Sequence, residues 1–532
     1  MGSIPLVWFV GLVAWSGSPA VGELLPAERA IETVVDHYVD AGLVAAGTHP
    51  APETEDASMV RRLTLDLLGR IPTASEVRAF TESTDPEKRP KLVDRLIGSV
   101  GFARHQADTL DAMLMSGFRS SLREYLVSSC RDNRPWDTVF RELMAATESG
   151  PGQKGVSEFL KARGKDPDKL TTDVSSIFFG VNVSCAKCHD HPLVDDWKQD
   201  HYYGMKSFLE RTYVVGNFVG EHGYGRTKFK TTDGEEKKAR FLFLTGREVE
   251  VGGAEEPSGD DKKAEKQKID EAKKKNEAPP SPEVSARARL VETALEPANR
   301  DFFARAIVNR FWHRFYGQGL VMPLDQMHSE NPPSHPELLQ WLARDLIEHG
   351  YDLRRLTRGL VLSHAYARES RAESENPDPR LFGVAAPRPL TPLQLSLSMS
   401  VATASPETFA DPDDQAKVEN LANSSRGLAS AIARPGEDYQ IGAAEALFMS
   451  NGTKLNELLG DGDDRLVGRI AKQRDHRAQV ELAVRNVLSR SPDPDEIALL
   501  GEFLAHREDR PVEAARQLVW ALLASGEFRF NH

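Results

Sequence analysis

Residues 61–80 read RRLTLDLLGRIPTASEVRAF. With Val60 just ahead of them, Leu63 and Leu67 fall at i, i+3 and i+7, the apolar stripe of an amphipathic helix. Pro72 stops that helix, and Thr73 with Glu76 makes a capping box for the next, so the stretch is a helical hairpin. Outward from it the same period holds from Leu24 to about Phe208, with Leu92, Val93, Leu96 and Ile97 as another stripe. Beyond Val284 the period returns. Phe303, Ile307, Phe311 and Phe315 are spaced by four before Gly317, a natural C-cap. Ser334 and Glu337 make a second capping box ahead of Leu338, Leu339, Leu342 and Leu346, and a last helix from about Val512 carries Leu518, Val519 and Leu522. RIPTASEV from Arg70 is echoed by RSPDPDEI from Arg490, a turn used twice and not a solenoid repeat.

Between the two helical regions the texture changes. TKFKTTDGEEKKARFLFL holds two β-prone runs around Asp233-Gly234, and REVEV alternates polar with apolar, which predicts a small β-hairpin module over 212–252. GDDKKAEKQKIDEAKKKNEAPPSP has one strongly apolar residue, Ile269, and reads as a flexible mixed-charge linker over 253–283. Its Glu, Lys and Ala content also allows a solvated single helix. The expected fold class is mainly α: a helical domain over 23–211, the β module, the disordered charged linker, and a C-terminal helical domain over 284–532.

The chain has 532 residues, 40% apolar and 28% charged, enough for a sizeable core and inconsistent with a fibre or wholesale disorder. Its net charge of −13 repels phosphate backbones, so nucleic acid is not an expected partner. Residues 1–22 carry no charged side chain, run apolar from Ile4 to Trp15 and end in small residues, the pattern of a secretory signal peptide cleaved after Gly22. An uncleaved anchor is the alternative. With the signal removed no transmembrane segment is expected, and the protein would be periplasmic or otherwise extracytoplasmic.

Chemistry concentrates in FFGVNVSCAKCHDHPLVDDWKQDHYYGMKSFL, where Cys185, Cys188 and His189 form C-x-x-C-H, the attachment pattern of c-type haem. Two thiols on one turn can add to the two vinyl groups, and the adjacent imidazole then serves as proximal iron ligand. His201, Met205 and His105 are the candidate sixth ligands. Two other readings stay open: a strained disulfide between Cys185 and Cys188, and a structural zinc held by Cys185, Cys188, His189 and His191. Cys130 has no partner in the motif and reads as a buried thiol. The sequence contains no G-x-S-x-G, H-E-x-x-H or Walker loop, and capping explains Ser334 and His335 better than nucleophilic catalysis.

These segments also carry a family resemblance. RRLTLDLLGRIPTASEVRAF, RPKLVDRLIGS and CAKCHDHPLVDDWKQDHYYGMKSFL, then NRFWHRFYGQGLV, PPSHPELLQWLA, LTRGLVLSHAY and WALLASGEFRFNH, resemble the planctomycete cytochrome-type protein family, domain-of-unknown-function families 1549 and 1553. The resemblance implies an exported, mostly helical protein whose Cys185, Cys188 and His189 form a haem c site, with no established reaction. The expected function is therefore electron transfer with a redox partner protein, or the haem part of an oxidative reaction on an unknown substrate. The alternative is a non-redox periplasmic binding scaffold with a structural zinc.

Overall fold

The computed structural model describes residues 23–148, 150, 152–191, 194–253, 257–371, 378–409, 415–432 and 442–532. The expected signal peptide lies outside them. The chain is mainly α, with strands confined to three two-stranded antiparallel sheets among the described residues.

The hairpin at 61–80 forms as its residues dictate. Helix Asp56–Leu68 ends at Gly69, whose φ of 72° is a left-handed C-cap that a side chain would strain. Helix Ala74–Thr81 begins with the full capping box: Glu76 N donates to Thr73 Oγ1 at 3.2 Å and Thr73 N to Glu76 Oε2 at 2.7 Å. Arg70 closes the corner with two bonds to Glu76, each 2.8 Å. Burial pushes the Glu76 carboxyl up, but the charge and hydrogen bonds of Arg70, with Thr73, outweigh it and hold the pKa down at about 2. The echo at Arg490 is a geometric twin, with Asp493 and Glu496 as the capping box and two Arg490–Glu496 bonds of 2.7 Å.

One cap departs from expectation. Helix Pro336–Glu348 starts one residue later than a Ser334 cap requires, because Pro336 takes the first helical position and leaves His335 at the N-cap. Ser334 instead donates its N–H to Leu320 O at 2.8 Å.

Strands Thr212–Val215 and Phe218–Glu221, and Lys228–Lys230 with Glu236–Lys238, build the expected hairpin module, the second turning at Gly234 with φ of 83°. The charged segment differs from a flexible linker: Gly259–Lys275 is a helix. Ser258 caps it, Asp260 and Asp261 occupy the first turn and Lys273, Lys274 and Lys275 the last, an order that complements the helix dipole and lets propensity replace burial. Only Ala272 is buried in it.

Apolar packing groups the chain differently from the expected boundaries. One core runs from Ile31 to Phe382 and includes helices Ala286–Leu295, Arg300–Tyr316, Pro336–Glu348 and Leu353–Leu362. The aromatic stripe explains this: Phe303 lies 5.0 Å from Phe140 and 6.2 Å from Trp136, ring centre to ring centre. The second core is built from residues between Leu390 and Phe528, with Leu65 and Ile71 contributed by the hairpin. The charged helix is thus a bridge over one core and not a boundary between two. Limited proteolysis that nicks the chain beside this helix is expected to give two bands on a denaturing gel but one peak on size exclusion without denaturant. Fragments that separate in native buffer would disprove the shared core.

A buried polar network joins the two cores. Asp66, 3% exposed, accepts from Arg388 at 2.9 and 2.8 Å, from Tyr366 Oη at 2.7 Å and from Asn531 Nδ2 at 2.9 Å. One turn back, Arg61 donates to Phe528 O at 3.0 Å and Arg62 to Arg368 O at 2.9 Å. Strand Arg388–Pro389 pairs with Phe530–Asn531 alongside, so the C-terminal strand is tied to the first helical hairpin.

Candidate functional site

The C-x-x-C-H segment is held by the helices on either side of it. Helix Pro167–Phe179 ends at Gly180, φ 67°, where Met327 Sδ would meet an added Cβ at 2.8 Å. Val181 then bridges to Gln326, and Asn182 Oδ1 accepts from Ser184 N at 3.1 Å and Ser184 Oγ at 2.7 Å, which starts a short 3-10 turn, Ser184–Lys187. Ala186 is buried beneath this turn, while Cys185, Cys188 and His189 are exposed. All three cysteines of the chain are free thiols, so the expected alternative disulfide is not formed.

Helix Gln199–Leu209 fixes the turn from the other side. Gln199 Nε2 donates to Cys188 O at 3.1 Å, Gln199 N to Asp190 Oδ1 at 2.9 Å, and Tyr203 Oη to Lys187 O at 3.0 Å. Asp168 clamps the arrangement, taking Lys187 and Lys206 at 2.8 Å each and Tyr202 Oη at 2.7 Å. Burial pushes the Asp168 carboxyl up, but these three donors outweigh it and hold it well below the usual carboxylate range. Lys187 is correspondingly held above its usual range by its bond to Asp168.

His189 has one decisive contact. Its Nδ1 lies 2.7 Å from Asp190 O, and a carbonyl can only accept, so Nδ1 carries the hydrogen and Nε2 keeps its lone pair for a ligand. The donor set therefore fits a haem c: two exposed thiols on one anchored turn, and beside them an imidazole in the tautomer that binds iron through Nε2.

The candidate sixth ligands are placed elsewhere or occupied. Met205 is fully buried in the first core. His201 Nδ1 accepts from Lys198 N at 3.2 Å, capping its own helix, with its ring edge-on to Trp197 at 5.9 Å. Burial lowers its pKa. His105 belongs to the network around Asp66, where burial, then Arg314 and Arg104, drive its pKa well below the ordinary value. Nor are the four zinc candidates assembled: among the described residues no three His, Cys, Asp or Glu side chains converge on a metal-sized point. The backbone N–H of His191 donates to Trp197 O at 2.8 Å. Cys130 is half-buried, and burial pushes its thiol up to about 12, which makes it inert.

Sequence reasoning missed His328. The loop between helices Arg300–Tyr316 and Pro336–Glu348 folds back on the motif: Met327 N donates to Gly180 O at 3.0 Å, Asn182 N to Asp325 O at 2.7 Å, and Ser329 N to Asp196 Oδ2 at 2.8 Å. His328 is thereby brought within electrostatic reach of His191 and Asp196, and its buried Nδ1 has no hydrogen-bond partner. Burial is the main cause of its lowered pKa. The loop's length was the available signal, since a long irregular loop inside a packed domain is usually functional.

Residues 34–213 match the family model described as PSCyt2, protein of unknown function (DUF1549), and residues 286–435 match that described as PSD1, protein of unknown function (DUF1553). The chain carries these two domains in that order. No curated protein and no solved structure matches it. The Asp66 network joins the two, linking helix Asp56–Leu68 of the first to Tyr366 and Arg388 of the second.

Proposed function

We propose that this chain is an exported c-type cytochrome-like protein that holds one haem through thioether bonds from Cys185 and Cys188, with His189 Nε2 as an iron ligand. The observation that carries this reading is the His189 Nδ1 to Asp190 O contact of 2.7 Å beside two exposed thiols. A bound haem would supply one-electron exchange, for transfer to a redox partner protein or for an oxidative reaction in a periplasmic setting. The chain's own residues do the positioning. Gln199, Tyr203 and Asn182 fix the backbone of the turn, Asp168 fixes Lys187, and Asp190 sets the tautomer of His189. Exposure of all three motif residues leaves the site accessible to a protein partner.

Expression alongside a haem-attachment system is expected to give a band that stains for haem on a denaturing gel and one iron per chain. His189→Ala should keep the covalent stain but change the visible spectrum of the iron, because it removes an iron ligand and neither thioether, whereas His191→Ala should change little. A colourless folded protein that retains zinc, and loses it equally in both variants, would instead establish the zinc scaffold.

A further inference from the structure

Beside the motif lies a cleft of about 370 Å³, within the size range of small-molecule sites. By contrast, the cavities next to Cys130 and next to His105 measure about 20 Å³ each, room for one water. The cleft opens between helices Pro167–Phe179 and Arg300–Tyr316 and the turn at 322–325. Its charged lining is Arg163, Lys169 and Arg310 against Asp173 and Asp325. On a chain of net charge −13 this is a local excess of cations.

The arrangement of those charges is specific. Asp173 is shared by two cations, Arg163 Nε at 2.6 Å and Lys169 Nζ at 3.1 Å. Arg163 is locked in place: it also donates to Leu114 O at 2.7 Å and lies 4.1 Å over the Phe159 ring. Lys169 is exposed on a flexible stem and can exchange Asp173 for a ligand. Arg310, whose Nη2 donates to Ser176 O at 3.1 Å, supplies the third positive charge, and His313 with the Ser116 and Ser176 hydroxyls supplies further polar contacts. Asp325 forms the end nearest the motif: its Oδ2 accepts from Asn182 Nδ2 at 3.1 Å, and Asn182 in turn caps the turn that carries Cys185.

We infer that this cleft binds a small organic anion that carries a carboxylate beside hydroxyl groups, with Lys169 and Arg310 on the carboxylate and the serine hydroxyls and His313 on the remainder. The inference does not depend on haem at the neighbouring turn, and binding is measurable on the full chain with or without it.

D-Galacturonate and D-galactose are suitable probes, because both carry hydroxyls on the same ring and one adds the carboxylate. Isothermal titration is expected to give a dissociation constant of about 1 mM or tighter for galacturonate, at least about tenfold weaker binding for galactose, and weakening with added salt. Lys169→Gln should weaken galacturonate about tenfold and Lys169→Glu should abolish it, with melting temperatures close to the parent's because the residue is exposed. No heat with galacturonate, equal binding of the two sugars, or galacturonate binding unchanged in both Lys169 variants would each overturn the inference. Equal affinity for inorganic phosphate, with one-for-one competition, would overturn its organic part.

Discussion

Asp66→Ala is expected to lower the unfolding free energy by about 3–5 kcal/mol, a large share of the roughly 5–15 kcal/mol typical of a folded protein. The carboxylate is 3% exposed, and both of its oxygens are filled by Arg388, Tyr366 and Asn531. Removing it leaves the Arg388 guanidinium buried without a counter-charge, and that uncompensated charge is the main cost. Asp66→Asn keeps the shape and one acceptor but not the charge, so it should lose less. The paired replacement Asp66→Leu with Arg388→Met should lose less than the sum of its single variants, because no lone charge is left behind. Hydrogen exchange should rise first at Arg388–Pro389 and Phe530–Asn531, the strands that Asp66 ties to the hairpin. A loss under about 1 kcal/mol for Asp66→Ala would mean that water reaches the network and that it does not hold the seam.

The same helix marks how far sequence reading reaches. In Asp56–Leu68 the stripe of Val60, Leu63 and Leu67 was legible because a helical period selects one apolar face, and Gly69, Pro72, Thr73 and Glu76 were legible because caps and turns act within a few residues. Arg61, Arg62 and Asp66 carry the opposite signal, charges that read as a solvated face. They are nonetheless buried, because their partners come from Tyr366, Arg368, Arg388 and residues 528–531. No local period encodes a partner some 300 residues away. The placement of Phe303 against Phe140 is of the same kind: its burial was readable, but which core it joins was not.

At the candidate site, the donor residues were legible and their surroundings were not. C-x-x-C-H is a contiguous motif, so spacing alone singles out Cys185, Cys188 and His189 as candidates. The tautomer of His189 depends on Asp190 O, and the approach of His328 depends on a loop that follows the motif by more than a hundred residues in sequence. Met205 and His201 looked available as ligands because helical spacing cannot tell a face packed in the core or a ring capping its own helix from one aimed at a cofactor.

Acid should destabilise the fold between pH 6.5 and about 4, and His335 is the group through which this is best tested. His335 is 6% exposed, its buried Nε2 has no partner, and Gly42 is so close that an added Cβ would fall 2.6 Å from that nitrogen. Burial lowers its pKa from 6.5 to about 4, with Glu337 pulling weakly the other way. Its place at the N-cap of Pro336–Glu348 adds to the effect, because an imidazolium there would face the positive end of the helix dipole. Below pH 6.5 the unfolded chain takes up a proton on this residue while the folded chain does not, so the unfolded state gains until about pH 4, where both are protonated. His335 alone then contributes a stability difference of about 3 kcal/mol across the window, present at neutral pH and lost on acidification. His105, His201, His328 and His532 have pKa values lowered in the same direction and add to the total slope, so the readout is the difference between parent and His335→Gln. Urea midpoints measured at the two ends of the window should show the variant losing less stability on acidification than the parent. Equal losses in the two proteins would mean that protonated His335 is accommodated without cost in the folded state, and that the acid sensitivity originates at other groups.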